Sequence, residues 1–201
     1  MSMIEISQEP AHLTLIGFDP GTINFGYAKL TMTTQGAIVS ATATTIKADK
    51  LELSEWIGKC HGPRFQRISA LGHELTARLI QDDPTMIACE APFYNALRPS
   101  AFAPLVETLA EVRRAVITYD IKKPIYLVSP ASAKKAIGVK DNKQKDSVRQ
   151  AILAHAELYP IIKDEVEDMD EHSIDALAVV MALRNLAIYG SFTRLGEFLG
   201  I

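Results

Sequence analysis

The chain has 201 residues, of which 48% are hydrophobic and 22% are charged, and its formal net charge is −3. This length predicts one domain, with a core large enough to need no disulfide or metal for stability. The composition excludes a disordered, collagen-like or coiled-coil chain, and no apolar run is long enough to span a membrane. Two cysteines without CxxC spacing, and no signal-peptide pattern, favour a cytoplasmic protein.

Charge is distributed unevenly along the second half of the chain. The stretch 122–149 contains eight basic residues and two acidic ones, whereas the stretch 157–175 contains eight acidic residues and one basic one. A basic segment beside an acidic one is compatible with a chain that holds both a polyanion and a divalent cation. On charge alone, two solvated surfaces of opposite sign explain the pattern better.

Hydrophobic periodicity predicts an alternation of strands and helices after a loose N-terminal segment at 1–11. Strands are expected near 13–18, 25–33, 37–46, 85–90 and 124–128. Helices are expected over 64–81, 143–157 and 172–187, around the apolar residues that repeat at helical spacing between 105 and 116, and in a short segment that starts at Ser129. Segment 49–63 is either helix-bearing or a loop. Three consecutive strands followed by alternating helices and strands indicate an α/β class fold, with a mixed sheet covered by helices.

Four polar residues occupy positions from which they could form one site. Asp19 and Glu90 each end a predicted strand, and strand ends of α/β proteins converge at one edge of the sheet. His172 and Asp175 are three residues apart at the start of a helix and therefore face the same way. Together they would form an oxygen-rich site suited to Mg²⁺ or Mn²⁺, and two such ions can hydrolyse a phosphodiester.

Each of these residues taken singly also has a plainer interpretation. Asp19 begins an Asp-Pro-Gly sequence, which is typical of turns. Glu90 is equally compatible with a surface acid at a strand end, and Asp175 with an acid that favours the helix dipole. Only the combination of these residues with His172 points specifically to a metal site.

Motifs in this order and spacing resemble those of the RuvC-type Holliday junction resolvases, which have the ribonuclease-H-like fold. They are Ile16–Thr22 (IGFDPGT), Glu90–Phe93 (EAPF), the glycine turn Ile137–Lys140 with the lysines after it, and His172–Ala178 (HSIDALA). The resemblance covers about residues 13–188. It implies a single domain over 1–201, built on a mixed five-stranded sheet flanked by helices.

The resemblance implies a catalytic metal-binding set of Asp19, Glu90, His172 and Asp175, with two Mg²⁺ ions per site and Mn²⁺ as a substitute. Asp19 would bridge the two ions, Glu90 and Asp175 would each complete one, and His172 would ligate metal or position the attacking water.

Five further residues are candidates for DNA contact by the same resemblance. Phe93 would stack on a base at the opened junction, although it is also compatible with a core aromatic, and Tyr94 could equally be the stacking residue. Lys134, Lys143 and Lys145 would contact phosphates, with ordinary helix-surface lysines as the alternative.

The implied function is a metal-dependent endodeoxyribonuclease that resolves four-way DNA junctions by paired symmetric nicks, as a homodimer with no nucleotide cofactor and no membrane partner. The alternatives are a relaxed nuclease of branched DNA such as forks and flaps, and a junction-binding protein without catalysis. Asp19–Thr22 also resembles the phosphate loop of actin-like ATPases and sugar kinases, but the chain holds neither their second lobe nor their second loop. Segments 56–64 and 95–104 depart from the bacterial pattern, which is more typical of a phage or prophage member of the family.

Overall fold

Apolar and alternating segments form the strands of one mixed sheet in a computed structural model that describes residues 11–93, 99–139 and 146–190. The strands are β1 (His12–Asp19), β2 (Asn24–Thr33), β3 (Ile38–Lys47), β4 (Met86–Glu90) and β5 (Ile125–Val128). Their spatial order is β3-β2-β1-β4-β5; β2 is antiparallel to β1 and β3, whereas β4 is parallel to β1 and β5. The predicted five-stranded mixed sheet is confirmed.

Helices connect and cover these strands. They are α1 (Glu55–His61), α2 (Pro63–Asp82), α3 (Phe102–Tyr119), α4 (Pro130–Ala136), α5 (Ser147–Leu153), α6 (Tyr159–Ile162) and α7 (Glu171–Tyr189), with short 3₁₀ turns at Ala48–Lys50 and Pro99–Ala101. Within the described ranges, none of these helices has the length and apolar character needed to cross a bilayer. Residues 1–10, which include nearly all of the segment expected to be loose, lie outside the described residues.

Strand β1 lies in the centre of the sheet and is buried on both faces. Ile16 and Phe18 pack on one side with residues of α2 and α3, and we call this side the α2–α3 face. Leu15 packs on the other side with residues of α7, the α7 face. Because side chains alternate along a strand, Gly17 and Asp19 also point to the α7 face.

Helix α7 is buried around most of its circumference, because it lies against the sheet on one side and under α4 and α5 on the other. Its backbone comes unusually close to the sheet at two glycines. A Cβ atom on Gly17 would lie 2.6 Å from the Val180 nitrogen and 2.7 Å from the Ala176 oxygen. A Cβ atom on Gly26 would lie 2.1 Å from the His172 oxygen. Only glycine at these two positions permits the observed distance between helix and sheet.

The helix predicted over 143–157 is shorter in the structure, where α5 ends at Leu153. Pro160 lies in the first turn of α6, and proline is tolerated there but not further inside a helix. The chain must therefore break between α5 and α6. His155 stabilises the break, because its Nδ1 accepts the Leu158 N–H at 3.2 Å.

The contact at Gly17 yields a stability prediction. We expect Gly17→Ala to lower the free energy of unfolding by about 1–3 kcal/mol, because the added methyl group meets helix backbone that cannot move independently. Urea unfolding measures the loss. Gly58→Ala is the matched control, because its Cβ would meet only the flexible end of the Gln66 side chain. Equal stability of Gly17→Ala and wild type would contradict the proposed close packing of α7 on β1.

Candidate active site

The strand register brings the Asp19 and Glu90 carboxylates to one edge of the sheet. Strands β1 and β4 are parallel, with Phe18 paired to Cys89, so that the two acids come next on neighbouring strands. On β4, Met86 and Ala88 face α7, and alternation places Glu90 on the same side. Both carboxylates therefore lie at the same edge of the sheet and on the face that α7 covers.

The start of α7 adds an imidazole and a third carboxylate to this edge. Asp170 caps the helix, since its side chain accepts the Ser173 N–H at 3.1 Å. The close approach at Gly26 then places His172 beside β1, where its Nδ1 lies 2.8 Å from Asp19 Oδ2. The Asp19 side chain is 14% exposed and the His172 side chain 34%, so this hydrogen bond is partly buried.

The carboxylates repel each other in this partly buried site. Burial, followed by the charges of Asp19 and Asp175, raises the pKa of Glu90 to about 8. Burial, followed by the charges of Asp19 and Glu171, raises the pKa of Asp175 to about 6. The hydrogen bond to Asp19 raises the pKa of the His172 imidazole. Burial and mutual repulsion therefore disfavour the charged forms of Glu90 and Asp175 in the metal-free site.

Lys134 on α4 is the cation that acts on both raised carboxyl groups. Its charge lowers the pKa of Glu90 and of Asp175, against the larger effects of burial and of the other acids. Helix α4 is held by Ser129, which caps it by accepting the Ser132 N–H at 3.1 Å. Sequence reasoning selected Lys134 as a phosphate contact, and the structure brings it into electrostatic range of the catalytic candidates.

The remaining candidates divide between described and undescribed parts of the chain. Phe93 follows β4 and is 51% exposed, which excludes the alternative of a core aromatic. Tyr94, Lys143 and Lys145 lie outside the described residues, and their predicted DNA contacts stay predictions.

Sequence reasoning missed three residues that support the site. Gly17 and Gly26 set the position of α7, and Thr45 of β3 donates a hydrogen bond to the capping residue Asp170. Burial alone would raise the pKa of Asp170, but hydrogen bonds from Thr45 and Ser173 lower it below its usual value. A signal for Gly26 is present in the sequence, because a glycine inside a strand often marks a close approach of another backbone.

The donor set fits a hard divalent cation by its chemistry. Three carboxylates and an imidazole are the ligands expected for Mg²⁺ or Mn²⁺, and a dication would relieve the repulsion that raises the pKa of Glu90 and of Asp175. Within 11–93, 99–139 and 146–190, no group of three acidic, histidine or cysteine side chains is arranged as a ready metal site. Bringing ligands together around an ion therefore requires side-chain adjustment.

Comparison of the sequence with known proteins finds relatives that match most of the chain, although no family model matches it. The crossover junction endodeoxyribonuclease RuvC of Desulfitobacterium hafniense is 23% identical over 174 residues, covering 84% of this chain and 90% of the relative. RuvC of Chlamydia trachomatis is 25% identical over 175 residues, covering 87% of this chain and 93% of the relative.

Solved structures give the same result for the fold. Thermus thermophilus RuvC matches with a TM-score of 0.65 at 19% identity, covering 89% of this chain and 98% of that chain. The chain has the RuvC fold. T. thermophilus RuvC in complex with a Holliday junction substrate also matches, with a TM-score of 0.64 at 18% identity, covering 89% of this chain and 97% of that one. The resemblance to RuvC inferred from the order of the motifs is therefore confirmed in sequence and in fold.

The raised carboxyl pKa values of Glu90 and Asp175 predict a pH-dependent stability of the metal-free protein. Glu90 titrates at about 8 in the folded state and near 4.5 when unfolded. The folded state therefore binds the proton more tightly, and the contribution of this group to stability falls as pH rises from about 4.5 to about 8. We expect Glu90→Gln to have little effect at pH 4 and to stabilise the metal-free protein above pH 8, by roughly 1–3 kcal/mol.

Thermal unfolding in EDTA across this pH range measures the effect, with exposed Glu52→Gln as the control. Added Mg²⁺ should stabilise wild type more than Glu90→Gln, because the variant lacks one ionised ligand. A difference between Glu90→Gln and wild type that does not change with pH would contradict the raised pKa.

Proposed function

We propose that this protein is a divalent-metal-dependent endonuclease that resolves four-way DNA junctions by paired nicks, as a homodimer. The observation that carries the proposal is the meeting of Asp19, Glu90, His172 and Asp175 at one edge of a sheet with the RuvC fold. The relatives are named crossover junction endodeoxyribonucleases, and one matching structure of T. thermophilus RuvC contains a Holliday junction substrate.

Asp19, Glu90 and Asp175 would hold Mg²⁺, with Mn²⁺ as a substitute and two ions in the site, as their donor chemistry and mutual repulsion favour. When bound, such ions activate water and stabilise the leaving oxygen of a phosphodiester. Asp19 would be the central member of this set, because its charge raises the pKa of both other acids and its carboxylate is hydrogen-bonded to His172.

His172 has two tasks that its geometry supports. Its hydrogen bond to Asp19 fixes the carboxylate and occupies Nδ1, so that Nε2 is the ring nitrogen available to a water molecule or a substrate oxygen. Because the same hydrogen bond raises the pKa of the ring, the imidazole gains a proton more readily than an isolated histidine. We assign His172 to one of two alternatives at Nε2: ligating metal, or positioning the attacking water and holding a proton during the reaction.

Lys134 and Phe93 would bind the DNA around the scissile phosphate. Lys134 lies close enough to influence both Glu90 and Asp175, so a phosphate bound at these acids would also meet its ammonium group. Phe93 comes three residues after Glu90 and exposes half of its side chain, which suits stacking on an unpaired base.

Removing the central carboxylate tests the catalytic assignment. We expect Asp19→Asn to lower the rate of junction cleavage in Mg²⁺ by more than about 100-fold, because a metal ligand is lost, while junction binding persists. Product mapping on a labelled four-way junction, a fork and intact duplex gives both rate and selectivity. Asp49→Asn, an exposed aspartate in the 3₁₀ turn after β3, is the control.

The outcomes of this experiment separate the candidate functions. Symmetric nicks confined to the junction and lost in Asp19→Asn support the resolvase. Equal cutting of forks and junctions would replace it with a general nuclease of branched DNA. Binding by wild type without cutting, in both Mg²⁺ and Mn²⁺, would reject catalysis and leave a junction-binding protein.

The outer surface of α2 and α3 supports the homodimer. Ile80 on α2 is 64% exposed and lines a shallow groove together with Gly72, Thr76 and Thr118, and Ile117, next to Thr118 on α3, is 56% exposed. Exposed apolar side chains beside small residues favour close packing of helices from a second copy. This surface lies on the opposite side of the sheet from α7, so dimerisation would leave the α7 face accessible.

A charge on this surface should separate the subunits and uncouple the two nicks. We expect Ile117→Glu to shift the protein toward monomer in analytical ultracentrifugation, and its junction products to become single nicks rather than paired ones. Val39→Glu, on the exposed edge strand β3, is the matched control and should leave the dimer intact. A monomeric wild type that still makes paired nicks would contradict the proposed dimer.

A further inference from the structure

The chain between β3 and α2 makes an excursion whose middle part contributes nothing to the core. We define it as residues 48–62. Ala48 and Leu51 attach its first part to the α2–α3 face, whereas helix α1 has no buried residue at all. A helix of seven residues is not stable on propensity alone. Gln66 of α2 holds it in place by donating to the Leu53 and Ser54 carbonyl groups at 3.4 Å each.

Helix α1 and the start of α2 expose two aromatic side chains, each next to a basic residue. Trp56 is 71% exposed, and the Lys59 ammonium group lies 5.5 Å from the centre of its ring. Phe65 is 52% exposed and lies 5.3 Å from the His61 ring, centre to centre. A tryptophan and a phenylalanine within ten residues of each other, each more than half exposed and each beside a basic residue, offer two aromatic faces to a ligand.

The excursion lies at the same end of the sheet as the catalytic carboxylates. It leaves β3 directly after Lys47, which pairs with Asn24 at the beginning of β2, and the Ala48 N–H donates to the Ile23 oxygen at 2.7 Å. Ile23 ends the short connection, residues 20–23, that joins Asp19 at the end of β1 to the beginning of β2. Phe93, which follows Glu90, is also exposed at this end.

We propose that Trp56 and Phe65 form a second stacking surface for unpaired bases of branched DNA, separate from Phe93. The inference rests on the proposed function and names a further recognition element of the same site. Aromatic faces combined with cations are the chemistry with which proteins bind single-stranded nucleic acid, because every base has a π face and every nucleotide a phosphate. Lys59 also pairs with Glu55 at 3.3 Å. That exposed ion pair is weak enough for a phosphate to replace Glu55.

Trp56 reports directly on this contact because it is the single tryptophan of the chain. The test uses the full chain carrying Asp19→Asn, so that DNA stays intact in Mg²⁺, at one fixed salt concentration. Tryptophan fluorescence and anisotropy of labelled DNA are followed during titration with a four-way junction, a single strand and an intact duplex. We expect strong quenching and reduced acrylamide accessibility with the junction and the single strand, and little change with the duplex.

Affinity measurements on variants complete the test. We expect Trp56→Ala to weaken junction binding by about 5- to 50-fold, as for loss of one stacked base, and Trp56→Phe to restore most of it. Tyr189→Ala is the matched control, since Tyr189 is an exposed aromatic at the opposite end of α7. Folding of each variant is checked by thermal unfolding, which should change little because α1 buries no side chain.

The outcomes distinguish this inference from the proposed function. A wild-type chain that cuts junctions in Mg²⁺, with Trp56 fluorescence unchanged by DNA and Trp56→Ala binding normally, overturns the stacking surface alone. Equal quenching by duplex and junction also overturns it, because paired bases offer no exposed face. A chain that binds no branched DNA overturns both.

Discussion

The contact between helix α7 and the sheet is the constraint on which the rest of the structure depends. It is possible only because Gly17 and Gly26 have no side chain, so that the helix backbone rests directly on β1 and β2. A helix at the usual distance from the sheet would hold His172 too far from β1 for its 2.8 Å hydrogen bond to Asp19. The two glycines are therefore as important for the site as the residues that carry chemistry.

The same contact produces an electrostatic cost. Asp175 is brought under cover next to Asp19 and Glu90, and the raised pKa values of Glu90 and Asp175 record how unfavourable three partly buried carboxylates are together. The beginning of α7 offsets part of this cost, because the N-terminal end of a helix favours negative charge. Lys134 offsets another part from α4. The remaining repulsion is what a divalent cation would relieve, so affinity for metal and instability of the metal-free site have one origin.

Much of the fold could be predicted from the sequence, and the reasons for success and failure are local. The run 15–18 (Leu-Ile-Gly-Phe) has no polar side chain because β1 is covered on both faces there, and such a run is visible in one sequence. The prediction that helix α5 continues to residue 157 is wrong, since α5 ends at Leu153. The periodicity of Val148 and Ile152 continues to His155, but Pro160 requires a break in the helix before it. For the site, the strand ends indicated Asp19 and Glu90. The roles of Gly17 and Gly26 depend on which face each residue takes, and that is decided by strand register rather than by composition.

Helix α7 also explains how an acidic, partly buried edge and a stable core coexist in one small domain. At its beginning it carries His172 and Asp175. About three turns later, Arg184, almost fully buried, donates to the Gly36 oxygen in the turn between β2 and β3 and pairs with Glu157. Gly36 has a φ of +90°, which favours glycine, and its carbonyl is held by a guanidinium rather than by water. The repelling carboxylates thus lie at the beginning of α7. Near its end, Arg184 fixes the turn that sets the β2–β3 register. Because β3 leads directly into the excursion with Trp56, this distant arginine helps to determine where the proposed stacking surface lies relative to the acids.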